Sequence, residues 1–179
     1  MESKIKNRNK EAQCDICNKI MRSDNLKRHK QTHKDLLSLP ESDMEGLSNF
    51  DIIELAKYLE VPNFRGVFMR DTLPDKIQDK ECGVVNFNKS SEPGSHWVAY
   101  YKDGDKRLYF DSFGQVIPLE IQKYLKSEEE FRENKPVIQR NTDIVQKVNT
   151  KICGQLCVYV LDSLSKGANF QDIINFLKW

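Results

Sequence analysis

The chain has only three histidines in 179 residues, and that scarcity constrains every chemical reading of it. It has no apolar run approaching the roughly 20 residues needed to cross a bilayer, and its first residues lack the apolar core of a signal peptide. Both absences point to an intracellular, non-secreted chain with no membrane partner, in a compartment where thiols stay reduced. The five cysteines are odd in number and unevenly spaced, which argues for metal binding and catalysis over a disulfide framework. Strong net charge is missing as well, the formal value being +1. That near-neutrality hides a local imbalance: ten Lys/Arg face four Asp/Glu in residues 1–34, and eighteen face twenty-three in residues 35–179. A basic head on a mildly acidic body assigns any anionic partner to the head alone.

The head begins as a polar arm carrying Lys4, Lys6, Arg8 and Lys10. Cys14 and Cys17 follow, then eleven residues, His29, three residues and His33. Four soft or borderline donors at this spacing suit tetrahedral zinc. A helix over residues 23–33 places the two histidines on one side, since they are four apart, and Ser23 is a good N-cap for it. The array resembles a C₂H₂ zinc finger, a small ββα unit. It is one residue short between the second cysteine and the first histidine, and Met21 stands where an aromatic is common. The base-contacting positions of that class fall on Arg22, Asn25 and Arg28. Arg suits guanine and Asn suits adenine. One finger covers about three base pairs, so modest, salt-sensitive DNA binding is expected. A protein-binding finger is the alternative.

Residues 35–46 read as a linker, with Ser38, Pro40, Ser42 and Gly46 and no apolar periodicity. Beyond it, Ile52, Leu55, Ala56 and Leu59 predict a helix capped at Ser48 or Asn49 and stopped by Pro62. Strands are expected over residues 66–70 and 82–87. Two more, over 98–102 and 107–112, are joined by the hairpin signal Asp103-Gly104-Asp105. A single helix is predicted from Pro118 to about Phe131, then a strand over 137–140. A buried helix starts at Cys153 and ends at Lys166-Gly167. Phe170, Ile173, Ile174 and Leu177 mark a last amphipathic helix.

The cysteine at the start of that buried helix is the chemical focus. Unpaired first-turn N–H groups and the helix dipole favour a thiolate there. If two histidines bind zinc, His96 is the one imidazole left to serve Cys153. His96 opens one hairpin strand, and Asp111 lies near the end of its partner, where a carboxylate would orient the imidazole. Gln146, seven residues before Cys153, can return an amide to the site and share a developing oxyanion with the Cys153 N–H. The plainer reading is a buried apolar thiol, a structural His, a turn-capping Asp and a solvated Gln. Cys82 and Cys157 fall inside apolar elements as inert packing.

The order His…Asp…Gln…Cys-Gly resembles the adenovirus endopeptidase (adenain) family of cysteine proteases. The matching stretches begin at Phe64-Arg65-Gly66-Val67-Phe68. They continue with Cys82-Gly83-Val84-Val85-Asn86, Gly94-Ser95-His96-Trp97-Val98-Ala99, Leu108-Tyr109-Phe110-Asp111-Ser112-Phe113-Gly114 and Cys153-Gly154-Gln155-Leu156-Cys157. The resemblance covers roughly residues 47–165. It implies an α+β, papain-like fold, a central mixed β-sheet flanked by helices. It also implies Cys153 as nucleophile, His96 as base, Gln146 as oxyanion donor and Asp111 as the supporting acid. That acid is glutamate in the adenovirus enzyme and aspartate in the related ubiquitin-like-protein proteases. The adenovirus enzyme is activated by DNA and by a disulfide-linked peptide. No cysteine lies in residues 133–141, where that linkage would map, so a peptide activator is not expected here. A finger fused to such a protease also resembles the proteases of Maverick/Polinton or adintovirus type.

The sequence thus reads as a basic arm and finger (1–34), a linker (35–46) and an adenain-like domain (47–179). The expected function is a monomeric cysteine endopeptidase cleaving precursors of a viral or transposon particle, in the nucleus or a virus-like particle. Zinc is structural, and DNA is the finger's partner and a possible activator. Two alternatives stand beside it: a ubiquitin-like-modifier isopeptidase or processing protease, and a non-catalytic DNA-binding protein with a protease-like domain.

Overall fold

Alternation along three strands decides the architecture of the larger unit. Val84, Ala99, Leu108 and Phe110 enter one apolar cluster, while their neighbours Val85, Val98, Tyr100 and Tyr109 enter another. Successive side chains of a strand face opposite ways, so these strands are buried on both faces. Layers must then cover the sheet on each side.

The computed structural model describes residues 11–13, 20–22 and 46–178. In the head, β1 (Glu11–Gln13) and β2 (Ile20–Arg22) form an antiparallel pair with Glu11 opposite Arg22. Arg22 therefore ends a strand. The four expected zinc ligands Cys14, Cys17, His29 and His33, with Asn25 and Arg28, lie outside the described residues.

Helix α1 (Asn49–Tyr58) opens with a capping box, in which the Ser48 hydroxyl accepts from the Asp51 N–H and the Asp51 carboxylate accepts from the Ser48 N–H. Five strands follow: β3 (Phe64–Met69), β4 (Lys80–Asn86), β5 (Trp97–Asp103), β6 (Lys106–Phe110) and β7 (Gln139–Arg140). They lie side by side in chain order. β3/β4 and β6/β7 are parallel and the inner pairs antiparallel, so the sheet is mixed. Helix α4 (Cys153–Ser165) packs on β5 and β4 with every residue buried except Gln155 and Ser165. A helix apolar on all sides belongs in a core, and each of its buried Leu and Val side chains contributes about 1.5–3 kcal/mol. Helix α5 (Phe170–Leu177) lays Phe170, Ile173, Ile174 and Leu177 into the same cluster.

One expected helix is two. α2 (Leu119–Leu125) stops at Lys126, which is extended, and α3 (Glu128–Glu133) restarts behind a second capping box between Ser127 and Glu130. The box satisfies two N–H donors that a continuous helix would have bonded internally, and so makes the break stable. Pro118 serves as the N-cap of α2, just outside its first turn.

Candidate active site

Two neighbouring strands leave their chemistry at one end of the sheet. β5 begins at Trp97, immediately after His96, and β6 ends at Phe110, immediately before Asp111. The last β5/β6 pair is Ala99 with Phe110. Just past that pair the chain turns, the Gly114 N–H donating to the Asp111 carbonyl at 2.9 Å, so Asp111 stays beside the end of β5 where His96 lies. The contacts agree: His96 Nε2 and Asp111 Oδ1 are 2.8 Å apart, and the His96 and Phe113 rings are 4.9 Å apart.

An ionised carboxylate only accepts, so Nε2 carries the proton in that bond and Nδ1 is left for another partner. Cys153 lines the same cleft as His96, and its sulfur favours the charged form of the ring. Burial opposes a charged imidazole, but the bond to Asp111 and the influence of the Cys153 sulfur, with the negative charge of both, raise His96 to about 9. Asp111 itself is held rigidly. The Phe113 N–H donates to Oδ1 at 2.8 Å. Asn141 Nδ2 donates to the Asp111 carbonyl at 2.6 Å, and the Asp111 N–H donates to Asn141 Oδ1 at 3.0 Å. The Asn141 side chain thereby extends the β6/β7 ladder past the point where β7 stops.

Cys153 is the first residue of α4, and no side chain caps that turn. Its neighbour Gly154 lets the helix come close to α1, the segment before it and Trp97 of β5. A Cβ there would sit 3.2 Å from both Ile52 Cδ1 and Leu47 Cβ, and 3.3 Å from Trp97 Cδ1. Trp97 is fastened in turn by its indole N–H, which donates to the Leu47 carbonyl at 2.8 Å. Gln146 lies buried on the same side, its Nε2 donating to the Thr150 carbonyl and its Oε1 accepting from the Ser112 hydroxyl, both at 2.7 Å. Gln146, His96 and Cys153 line one cleft of ≈ 730 Å³, which Leu47, Met69 and Trp97 make partly apolar.

The other two described cysteines differ. Burial pushes the Cys82 thiol up to about 12, helped by the Glu81 charge. Cys157 is also raised by burial, well above a free thiol. Both pack as inert residues.

Three of the sequence-derived site residues, Cys153, His96 and Gln146, thus line one cleft, and the fourth, Asp111, is buried beside it in contact with His96. Sequence reasoning missed Ser112 and Asn141, which grip Gln146 and Asp111, and it missed the Leu47 strap. The one signal for Ser112 was its place next to Asp111; Asn141 had none, since its partner is 30 positions away. Among the described residues, no group of three His, Cys, Asp or Glu could hold a metal ion, and no helix is long and apolar enough to cross a membrane.

The fold is similar to that of two crystal structures of the ASFV pS273R protease. One, of selenomethionine protein, superposes with a TM-score of 0.52 at 18% identity, covering 83% of this chain and 72% of that chain. The other has a TM-score of 0.52 at 15% identity, covering 82% of this chain and 73% of that chain. No family model and no curated protein sequence matches the chain. The α+β arrangement expected from the sequence, a central mixed sheet flanked by helices, is the fold observed.

Proposed function

We propose that this chain is a cysteine endopeptidase with Cys153 as nucleophile. The supporting observation is the constellation itself: a buried carboxylate 2.8 Å from a histidine that lines one open cleft with a cysteine at the head of a buried helix. The likeness to a protease structure agrees with it. In the reaction the proton of the Cys153 thiol already resides on His96, and the sulfur attacks the carbonyl carbon of a polypeptide. The carbonyl electron pair moves to oxygen, where Gln146 Nε2 and the Cys153 N–H donate to it. Collapse expels the amine, protonated by His96, and leaves a thioester. Water, deprotonated by His96, then attacks the thioester, releasing the acid and restoring the sulfur. Asp111 orients the ring and stabilises the imidazolium throughout.

Precursors of a viral or transposon particle are the substrates this reading favours. The N-terminal module adds a second activity. Its donor set of Cys14, Cys17, His29 and His33 matches tetrahedral zinc, which would hold the small unit folded. Arg22, Asn25 and Arg28 would then face DNA and tether the protease to it. The β1/β2 hairpin agrees with the ββ half of such a finger.

Intact-protein and peptide mass spectrometry after treatment with a peptidyl vinyl sulfone tests the protease. Labelling is expected at Cys153 and lost in Cys153→Ala and His96→Ala. Labelling at Cys82 or Cys157 instead, or undiminished labelling without His96, refutes the assignment.

A further inference from the structure

The two residues after β6 divide the chemistry between them. They open the turn that the Gly114 N–H closes on the Asp111 carbonyl at 2.9 Å, and their side chains part there. Asp111 turns to His96, and Ser112 turns to Gln146. Ser112 is fully buried and holds the Gln146 segment at three points. Its hydroxyl donates to Gln146 Oε1 at 2.7 Å, and its carbonyl accepts from the Val145 N–H at 2.8 Å and the Gln146 N–H at 3.2 Å. The Thr150 carbonyl, which can only accept, fixes which end of the Gln146 amide is nitrogen and consumes one of its two protons. The second proton is left for the cleft that Gln146 shares with Cys153. Without the Ser112 hydroxyl, Oε1 would be a buried acceptor lacking this partner, and the amide would lose the bond that sets its twist.

We propose that Ser112 is a positioning residue for the oxyanion donor, acting through the Gln146 side chain and not on the sulfur or the imidazole. This rests on Gln146 being the donor, as assigned above. One dipeptide then aligns both halves of the machinery: Asp111 sets the base and Ser112 sets the group that receives the negative charge.

The test separates reactions that form an oxyanion-like centre from one that does not. Alkylation by iodoacetamide reads the thiolate alone. A short peptidyl aldehyde forms a hemithioacetal whose oxygen occupies the place of the tetrahedral oxygen. Gln146→Ala is expected to weaken aldehyde inhibition by roughly 10²-fold, the scale of one lost oxyanion donor. Ser112→Ala should weaken it roughly tenfold while the alkylation rate and its pH profile stay unchanged. Ser112→Thr, which keeps the hydroxyl, should recover affinity. The double variant Ser112→Ala/Gln146→Ala should be no worse than Gln146→Ala, because residues acting through one group are not additive. Losses that multiply in the double variant overturn the inference. So does a Ser112→Ala protein in which alkylation and aldehyde affinity fall together, the mark of a merely structural residue. An unchanged aldehyde affinity in Gln146→Ala removes the oxyanion assignment itself, and this inference with it.

Discussion

Replacing Asp111 by Asn removes one charge and almost no volume, and its consequence can be worked from the structure. His96 stands at about 9 against an ordinary 6.5, a difference corresponding to about 3 kcal/mol in favour of the imidazolium. Burial is the largest influence on the ring and acts downward; the Asp111 bond leads the upward ones. With the carboxylate neutralised, only Cys153 still opposes burial, and the ring should titrate at or below 6.5. At pH 7.5 the protonated fraction of His96 then falls from nearly all to about a tenth. Peptide cleavage, which needs that proton for the leaving amine, should drop at least about tenfold. Histidine Cε1–H NMR reads the ring directly, and a chain with three histidines makes it tractable: the His96 signal is the one missing from His96→Gln. Stability follows the same linkage. A folded-state value raised above the ordinary one adds stability that is fully present below pH 6.5 and is lost as pH rises through about 9. Thermal melts of the native protein should decline across that window, and those of Asp111→Asn should not. A His96 signal still titrating near 9 in the variant would refute the reasoning, because the shift would then come from elsewhere.

Gly154→Ala should cost about 1–3 kcal/mol in chemical denaturation, since the new Cβ crowds Ile52, Leu47 and Trp97. It should also slow Cys153 alkylation, because Trp97 adjoins His96. Gly114→Ala should be worse: φ at 114 is +65°, and a Cβ would lie 2.5 Å from the Thr142 carbonyl oxygen. Aldehyde binding should suffer there as Gln146, on the displaced loop, moves. Asn141→Ala leaves the buried Asp111 N–H and carbonyl without that amide, so a loss of about 1–3 kcal/mol is expected in the same assay. Zinc titration with a chromogenic chelator should find one ion per native chain and none in Cys14→Ser, with vinyl sulfone labelling of Cys153 unaffected.

The elements that could be read from the chain were those whose signals are local. The capped α1, the Asp103-Gly104-Asp105 hairpin, the apolar α4 and the i, i+3, i+4 stripe of α5 each declare themselves within about a dozen residues. The break between α2 and α3 was also written locally, as Ser127-x-x-Glu130, but the charged run around it continues a helical pattern and conceals the restart. β7 is two residues long, shorter than expected at its start, and past its end the Asn141 side chain continues the pairing with β6 through the Asp111 N–H and carbonyl.

The candidate site divides along the same line. His96, Asp111 and Cys153 could be brought together on paper because a hairpin fixes the first two and a helix start marks the third. Nothing in the sequence says that Gln146 will be gripped by Ser112, 34 positions earlier, or that Leu47 will anchor Trp97 from 50 positions away. Those contacts exist because the loop after β7 and the segment before α1 both return to the end of the sheet where β5 begins and β6 ends. The reacting groups are therefore set by short-range order, whereas their orientation is set by loops closing over long separations. Substitutions in those loops should alter rate through geometry and spare the thiol's own reactivity, the separation that iodoacetamide and a peptidyl aldehyde measure on one protein.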